Sequence, residues 1–362
     1  MVARYIGRKR EFGTVLKPRI YLDHAATTPM TAAAQAAAAD GMARWANPSS
    51  PHAEGRAAKA ALEDARRRIA AAYGWDGEVL LTSGASEALA IAVGRRTLQT
   101  VSRSAVEHDA LIRVTEGAEV LPVDHDGIVS DLAASAGLYA VQWANSETGV
   151  RQPIAALAET IHAAGGRLLV DAAQMPAGAD PTALAAADIV VVSAHKRGGP
   201  PGVGALLIRE FGSIQPTGGQ ERGYRAGTEN LPGVLGFAAA VEEPEPDHAE
   251  LRARLDDRLK RSGAIVVGEG SPRHPAIGAY RMPGTSANAQ LVRFDLAGFA
   301  VSAGSACASG SLKPSHVLTA MGWDDAALRE VVRVSFGRGT TVAEVDAFAA
   351  EWRAIGRAAR AL

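Results

Sequence analysis

Lys196 follows Ser193, Ala194 and His195 at the close of an apolar run, and Gly198, Gly199, Pro200 and Pro201 come directly after it. A lysine held at the mouth of a buried strand, ahead of a forced turn, can form a Schiff base, whereas a lysine in a solvated loop would be inert; its surroundings alone admit both readings. Asp171 ends a second apolar run, Arg167 to Asp171. A carboxylate there can pair with a protonated pyridine nitrogen, or it can cap the alanine-rich turn that follows. The segment Thr82 to Glu87 sets small residues and Gly84 between a strand and a helical stretch. Backbone N–H groups exposed at the positive end of a helix suit a phosphate, although an ordinary serine-capped turn has the same composition. Cys307 is the single cysteine and lies in Ser302 to Ser311, a run of serine, glycine and alanine with the makings of a mobile loop. A structural cysteine is usually buried among apolar neighbours, so this thiol is open to a reactive as well as an inert role.

These residues need elements to hold them, and the chain up to about residue 240 alternates apolar runs of strand length with alanine-rich helical stretches such as Thr31 to Ala39. The strand candidates are Glu78 to Thr82, Leu138 to Gln142, Arg167 to Asp171, Asp188 to Ser193 and Val203 to Ile208. Several are apolar almost throughout, as strands covered on both faces of a parallel sheet should be, which predicts an α/β fold with helices on both sides of a mostly parallel sheet. In such sheets ligands sit beyond the carboxyl ends of the strands, where Ser83 to Ser86, Asp171 and Ser193 to Lys196 all fall. After the acidic, proline-containing segment Glu242 to Asp247, a helix at about 248 to 262, strands at Ala264 to Gly268 and Val331 to Phe336, and a closing helix from about Thr341 predict a smaller α+β domain. The expected organisation is an arm at 1–18, a large domain at 19–245 and a small domain at 246–362 that carries Cys307.

The 362 residues are 47% hydrophobic, enough for a large core and a smaller one, and the 38 basic and 39 acidic residues nearly cancel. That balance leaves no broad electrostatic footprint for nucleic acid or an anionic membrane. No apolar run reaches the roughly 20 residues that span a bilayer, and Arg8, Lys9 and Arg10 are not followed by a signal-peptide core, so the chain is expected in the cytoplasm. One cysteine excludes an intrachain disulfide and argues against a cysteine-ligated metal site, so no metal is expected.

Ten ordered segments resemble the cysteine desulfurases, a family of fold-type I, class-V aminotransferase-like pyridoxal-phosphate enzymes: YLDHAATTP at 21–29, NPSS at 47–50 with His52, TSGASEA at 82–88, EHDAL at 107–111, NSETGVRQPI at 145–154, VDAAQ at 170–174, SAHK at 193–196, GGQERGYRAGTEN at 218–230, GSACASGSLKPSHVL at 304–318 and VRVSFGR at 332–338. Each is weak alone, and their order in one chain is specific. The resemblance implies that Lys196 holds pyridoxal 5'-phosphate covalently, that Asp171 contacts the pyridine nitrogen, that Gln174 hydrogen-bonds the phenolic oxygen and that His108 stacks on the ring. Ser86, Ser193 and His195 would bind the phosphate, joined by Thr228 of the partner subunit in a homodimer. Arg333 would grip the carboxylate of L-cysteine, a task suited to its planar fork of donors. Lys196 would move the α-proton, His108 would carry a proton near the substrate thiol, and Cys307 would take the sulfur as a persulfide, leaving alanine. The persulfide would pass to an acceptor or iron-sulfur scaffold protein, for cluster assembly or thio-modification.

The chain departs from this pattern in places. Ser146 stands where the family has an asparagine near the cofactor oxygen and the substrate carboxylate; Asn145 is the residue placed to compensate. Leu89 ends the usual TEAN-like sequence, and Gly198 and Pro201 replace a tyrosine and a second lysine after Lys196. The shared lysine, aspartate and phosphate loop also suit a selenocysteine lyase or an aminotransferase. Ser146 and the short tail motivate a third reading, a poorly active homologue that serves as an assembly partner.

Overall fold

A computed structural model describes residues 19–304 and 314–360. The strands, in chain order, are β1 (Ile20–Tyr21), β2 (Glu78–Thr82), β3 (Val101–Ser104), β4 (Glu119–Leu121), β5 (Leu138–Gln142), β6 (Arg167–Asp171), β7 (Ile189–Ser193), β8 (Gly204–Ile208), β9 (Ile265–Val266), β10 (Ile277–Arg281), β11 (Phe299–Ala300) and β12 (Val331–Ser335). Seven of them form one sheet in the order β2-β8-β7-β6-β5-β3-β4. Its interior strands β5, β7 and β8 are buried at every residue. Alternate side chains enter opposite cores: Val190 and Val192 pack on one face of the sheet, Ile189 and Val191 on the other. Strands that bury both faces in this way read as continuous apolar runs, and this explains why these elements were visible in the sequence.

One predicted strand differs in direction. β8 runs antiparallel to both β7 and β2. Ten residues separate Ser193 from Gly204 without a helix, too few for the crossover that a parallel neighbour requires, so the chain turns back instead. Parallel pairing holds between β7 and β6, β6 and β5, β5 and β3, and β3 and β4. The register sets Thr82 and Ser193 on either side of Gly204, and Asp171 opposite Gln142. The ends of β2, β5, β6 and β7 therefore share one edge of the sheet. A Cβ at Gly204 would lie 2.7 Å from the Gly84 Cα, so glycine at this position admits the turn that follows β2.

A second core forms beyond the large sheet. β9, β10 and β12 make an antiparallel sheet in the order β12-β10-β9. The helices Ala249–Lys260, Ala287–Leu296 and Val342–Arg360 supply much of its packing, with Phe294 and Phe348 stacked at a ring-centroid distance of 4.7 Å. Leu22 also enters this core, and β1 pairs with β11. The segment around residues 20–22 thus packs with the second core although it precedes the large sheet in the chain. We propose a domain division near residue 245 with that one exchange, whereas the predicted arm at 1–18 lies outside the described residues. Among the described residues no helix is long and apolar enough to cross a membrane.

Candidate active site

A cavity of about 490 Å³ opens at the shared edge of the sheet and reaches across to β12. Ser86, His108, Asn145, Ser146, Asp171, Gln174, Ser193, His195, Lys196 and Arg333 all line it. Thr228 is exposed and is not part of this wall. Cys307 lies outside the described residues; Gly304, the last described residue before it, belongs to the lining.

Burial holds the Lys196 amine down at about 8, with the nearby Asp171 carboxylate opposing the shift. A neutral amine is therefore far more abundant here near neutrality than for an exposed lysine. Asp171 is 7% exposed, and its Oδ1 accepts from the Ala173 N–H at 3.0 Å. That bond fixes the carboxylate and leaves its other oxygen for a ligand. Gln174 donates its Nε2 to the Ala25 carbonyl at 3.0 Å, while its Oε1 is buried without a partner among the described residues.

The phosphate-type cradle is built from the turn after β2. Gly84 has φ 148°, in the region that favours glycine, and the helix Ala85–Gly94 begins immediately after it. The Thr82 hydroxyl donates to the Gly84 carbonyl at 3.0 Å and steadies the turn. Opposite, burial and then the neighbouring Lys196 and Arg197 charges push His195 down to about 4. Its ring is neutral at ordinary pH, with Nδ1 against the Thr27 hydroxyl at 3.2 Å.

Two histidines on the cavity wall have opposite nitrogens committed. His108 caps the helix Asp109–Val114, its Nδ1 accepting from the Ala110 N–H at 3.1 Å. An acceptor at Nδ1 places the proton of the neutral ring on Nε2, and burial followed by the Lys196 charge keeps the ring neutral by lowering its pKa. His316 instead donates Nε2–H to the Glu107 carbonyl at 2.8 Å. Below them Glu107 is buried, its Oε1 accepting from Gln142 N at 2.8 Å and from the Ser104 hydroxyl. Burial pushes its carboxyl up to about 8.

Arg333 is positioned by a residue that the sequence reading did not single out. Asp23 accepts from its Nη2 at 2.6 Å, and the Ser302 hydroxyl holds the other Asp23 oxygen at 2.8 Å. Arg333 Nη1 donates to the Ser146 carbonyl at 2.9 Å, and its Nε is buried without a partner among the described residues. Asp23 sits inside the YLDHAATTP segment, so position in a motif was the available signal, whereas the pairing across 310 residues was not readable. His316, in the segment that also holds Cys307, was missed for the same reason. Asn145 is largely spent on its own turn: Oδ1 accepts from Glu147 N at 2.9 Å and Thr148 N at 2.8 Å, and Nδ2 donates to the Val106 carbonyl at 3.1 Å. One amide hydrogen remains for a ligand.

The donor set suits a phosphorylated pyridine aldehyde. It combines an amine held neutral, a buried carboxylate with an open oxygen, serines around a helix start, and a guanidinium across the cavity. The aminotransferase class-V family profile matches residues 20–348. A cysteine desulfurase of Cereibacter sphaeroides is 38% identical over 91% of this chain and 93% of its own. Among solved structures, a NifS-like protein from Rickettsia africae superposes with a TM-score of 0.83 at 28% identity, covering 93% of this chain and 99% of that one. SspA in complex with cysteine superposes with a TM-score of 0.77 at 25% identity, over 89% of this chain and all (100%) of that one.

Proposed function

The chain belongs to the aminotransferase class-V family and, within it, to the cysteine desulfurases, and from that premise we propose that it removes sulfur from L-cysteine with pyridoxal 5'-phosphate, giving alanine and a persulfide on Cys307. The observation that carries the reading is the meeting of Lys196, Asp171 and Arg333 on one cavity, from three elements of two different sheets. The cofactor, when bound, supplies an electron sink for the pair left at the substrate α-carbon. Lys196 would hold it and then move the α-proton. Asp171 would face its ring nitrogen, Gln174 its phenolic oxygen, and Ser86, Ser193 and His195 its phosphate. His108 would stack on the ring and offer Nε2–H as a proton donor. Arg333 would take the substrate carboxylate with the donors that Asp23 and Ser146 leave free. The exposure of Thr228, away from its own chain's cavity, supports a homodimer in which it serves the partner's phosphate. A cytoplasmic location and an acceptor or iron-sulfur scaffold protein for the sulfur complete the proposal.

Purified protein loaded with the cofactor should release alanine and sulfide in equal amounts from cysteine and a thiol reductant, and should sediment as a dimer. Absence of both alanine and sulfide would leave an aminotransferase or an inactive partner; turnover of selenocysteine alone would leave a lyase. A monomer would remove Thr228 from the site.

Ser146 contributes its backbone carbonyl to Arg333, which any residue at 146 can do. Ser146→Asn should keep that bond and add an amide donor near the substrate carboxylate. A hydrogen bond to a charged group is worth about 1.5 to 3 kcal/mol, so the KM for cysteine should fall about tenfold or more with kcat little changed. An unchanged KM would mean that the remaining Asn145 amide hydrogen already does this work.

A further inference from the structure

His108 and His316 share the cavity wall, and their charges are close enough to act on one another. Their hydrogen bonds nevertheless leave them unlike. A backbone N–H can only donate, so the bond from Ala110 N uses the one lone pair of neutral His108. What His108 offers a ligand is a proton. A carbonyl oxygen can only accept, so the bond to Glu107 requires the proton of His316 on Nε2 and leaves the Nδ1 lone pair free.

From this difference we infer that His316 Nδ1 is the base that takes the proton of the substrate thiol, while His108 serves as donor. The inference rests on the desulfurase reading and divides its proton chemistry between two rings. In the step, the S–S bond to the Cys307 thiolate forms as the carbon–sulfur bond breaks and its pair goes to the substrate carbon, while the S–H proton of that sulfur passes to His316 Nδ1 and the S–H pair stays on the outer sulfur of the persulfide. The resulting imidazolium keeps its Nε2–H bond to the Glu107 carbonyl. It also lies near Glu147, a buried carboxylic acid whose Oε2 accepts from the Ser315 hydroxyl at 2.6 Å and whose charge is favoured by a cation at His316. Ser315 caps the short helix that His316 opens, accepting from Leu318 N at 3.1 Å, so the ring is set on a fixed backbone. A group that becomes a cation during the reaction is well served by a carbonyl behind it and a carboxyl beside it.

His316→Gln provides the test, because the glutamine amide can still donate to Glu107 but has no basic nitrogen. In the cofactor-loaded protein, His316→Gln should retain cofactor absorbance and exchange of the substrate α-proton with solvent. Alanine release from cysteine should fall about 10²-fold or more, the scale of a lost general base. Independently of turnover, two-bond proton–nitrogen NMR correlations of the loaded wild-type protein should place the proton of the neutral His316 ring on Nε2. A proton on Nδ1, alanine release within about threefold of wild type, or α-proton exchange lost in parallel with alanine release would each overturn the assignment. A wild-type chain that releases no alanine from cysteine removes the desulfurase reading and this inference with it. An active wild type with an equally active His316→Gln variant removes the inference alone.

Discussion

Lys196→Ala should abolish covalent attachment of pyridoxal phosphate and lower alanine formation from cysteine by at least about 10²- to 10⁴-fold, the contribution of a positioned acid or base alone. The amine is bound into the cavity by burial, and its pKa of about 8 sets the pH dependence. Only the neutral amine attacks a carbonyl. Because burial lowers the pKa, the neutral fraction rises through about pH 8 and saturates above it, not near the ordinary lysine value of about 10.4. Attachment of cofactor to the stripped wild-type chain should therefore accelerate with pH through that window and level off beyond it. Borohydride reduction followed by peptide mapping should place the cofactor on the peptide that contains Lys196. Label on another lysine would refute the assignment, and a rate still climbing toward pH 10 would refute the lowered pKa.

Cys307→Ser should separate proton chemistry from sulfur transfer. The variant should fold, bind cofactor and exchange the substrate α-proton, the step proposed for Lys196, while alanine release from cysteine drops by several orders of magnitude, as on loss of a nucleophile. A serine hydroxyl cannot attack sulfur and retain it. On the proposed mechanism the Cys307 thiolate would bond to the substrate sulfur as the carbon–sulfur bond breaks, so treatment of the wild-type protein with cysteine and no reductant should add about 32 Da, one sulfur atom, to the peptide bearing Cys307. Reductant should remove the added mass. Near-normal alanine production by Cys307→Ser would replace the proposal with elimination that needs no protein thiol.

Strands β5, β6 and β7 were legible because their central residues are buried on both faces, so Leu138 to Val141, Leu168 to Val170 and Ile189 to Val192 each form an apolar run. β3 and β10 escaped notice because Ser102, Arg103 and Ser104 in the one, and Gly278 and the closing Arg281 in the other, cut any such run short. The residues after the strands could be named in advance for a related reason: catalytic groups at the carboxyl edge of a sheet must directly follow a strand, so local order along the chain records their place. The resemblance then supplied roles that composition leaves open, most clearly for Lys196 and Asp171.

What the sequence determined by itself was the α/β class, the sheet-edge position of Lys196, Asp171 and the Thr82 to Glu87 turn, and membership of the family, all carried by contiguous segments. Tertiary structure alone decided the direction of β8, the seating of Leu22 in the second core, the hold of Asp23 on Arg333, and which nitrogen each of His108 and His316 leaves free. The physical reason lies in what local sequence can encode. Burial and turn preference act through near neighbours and leave a periodic trace, whereas a hydrogen bond between residues hundreds of positions apart constrains only one atom on each side. Nothing in the identity of a histidine says which of its nitrogens will meet a donor, and the chemistry of the ring depends on that meeting.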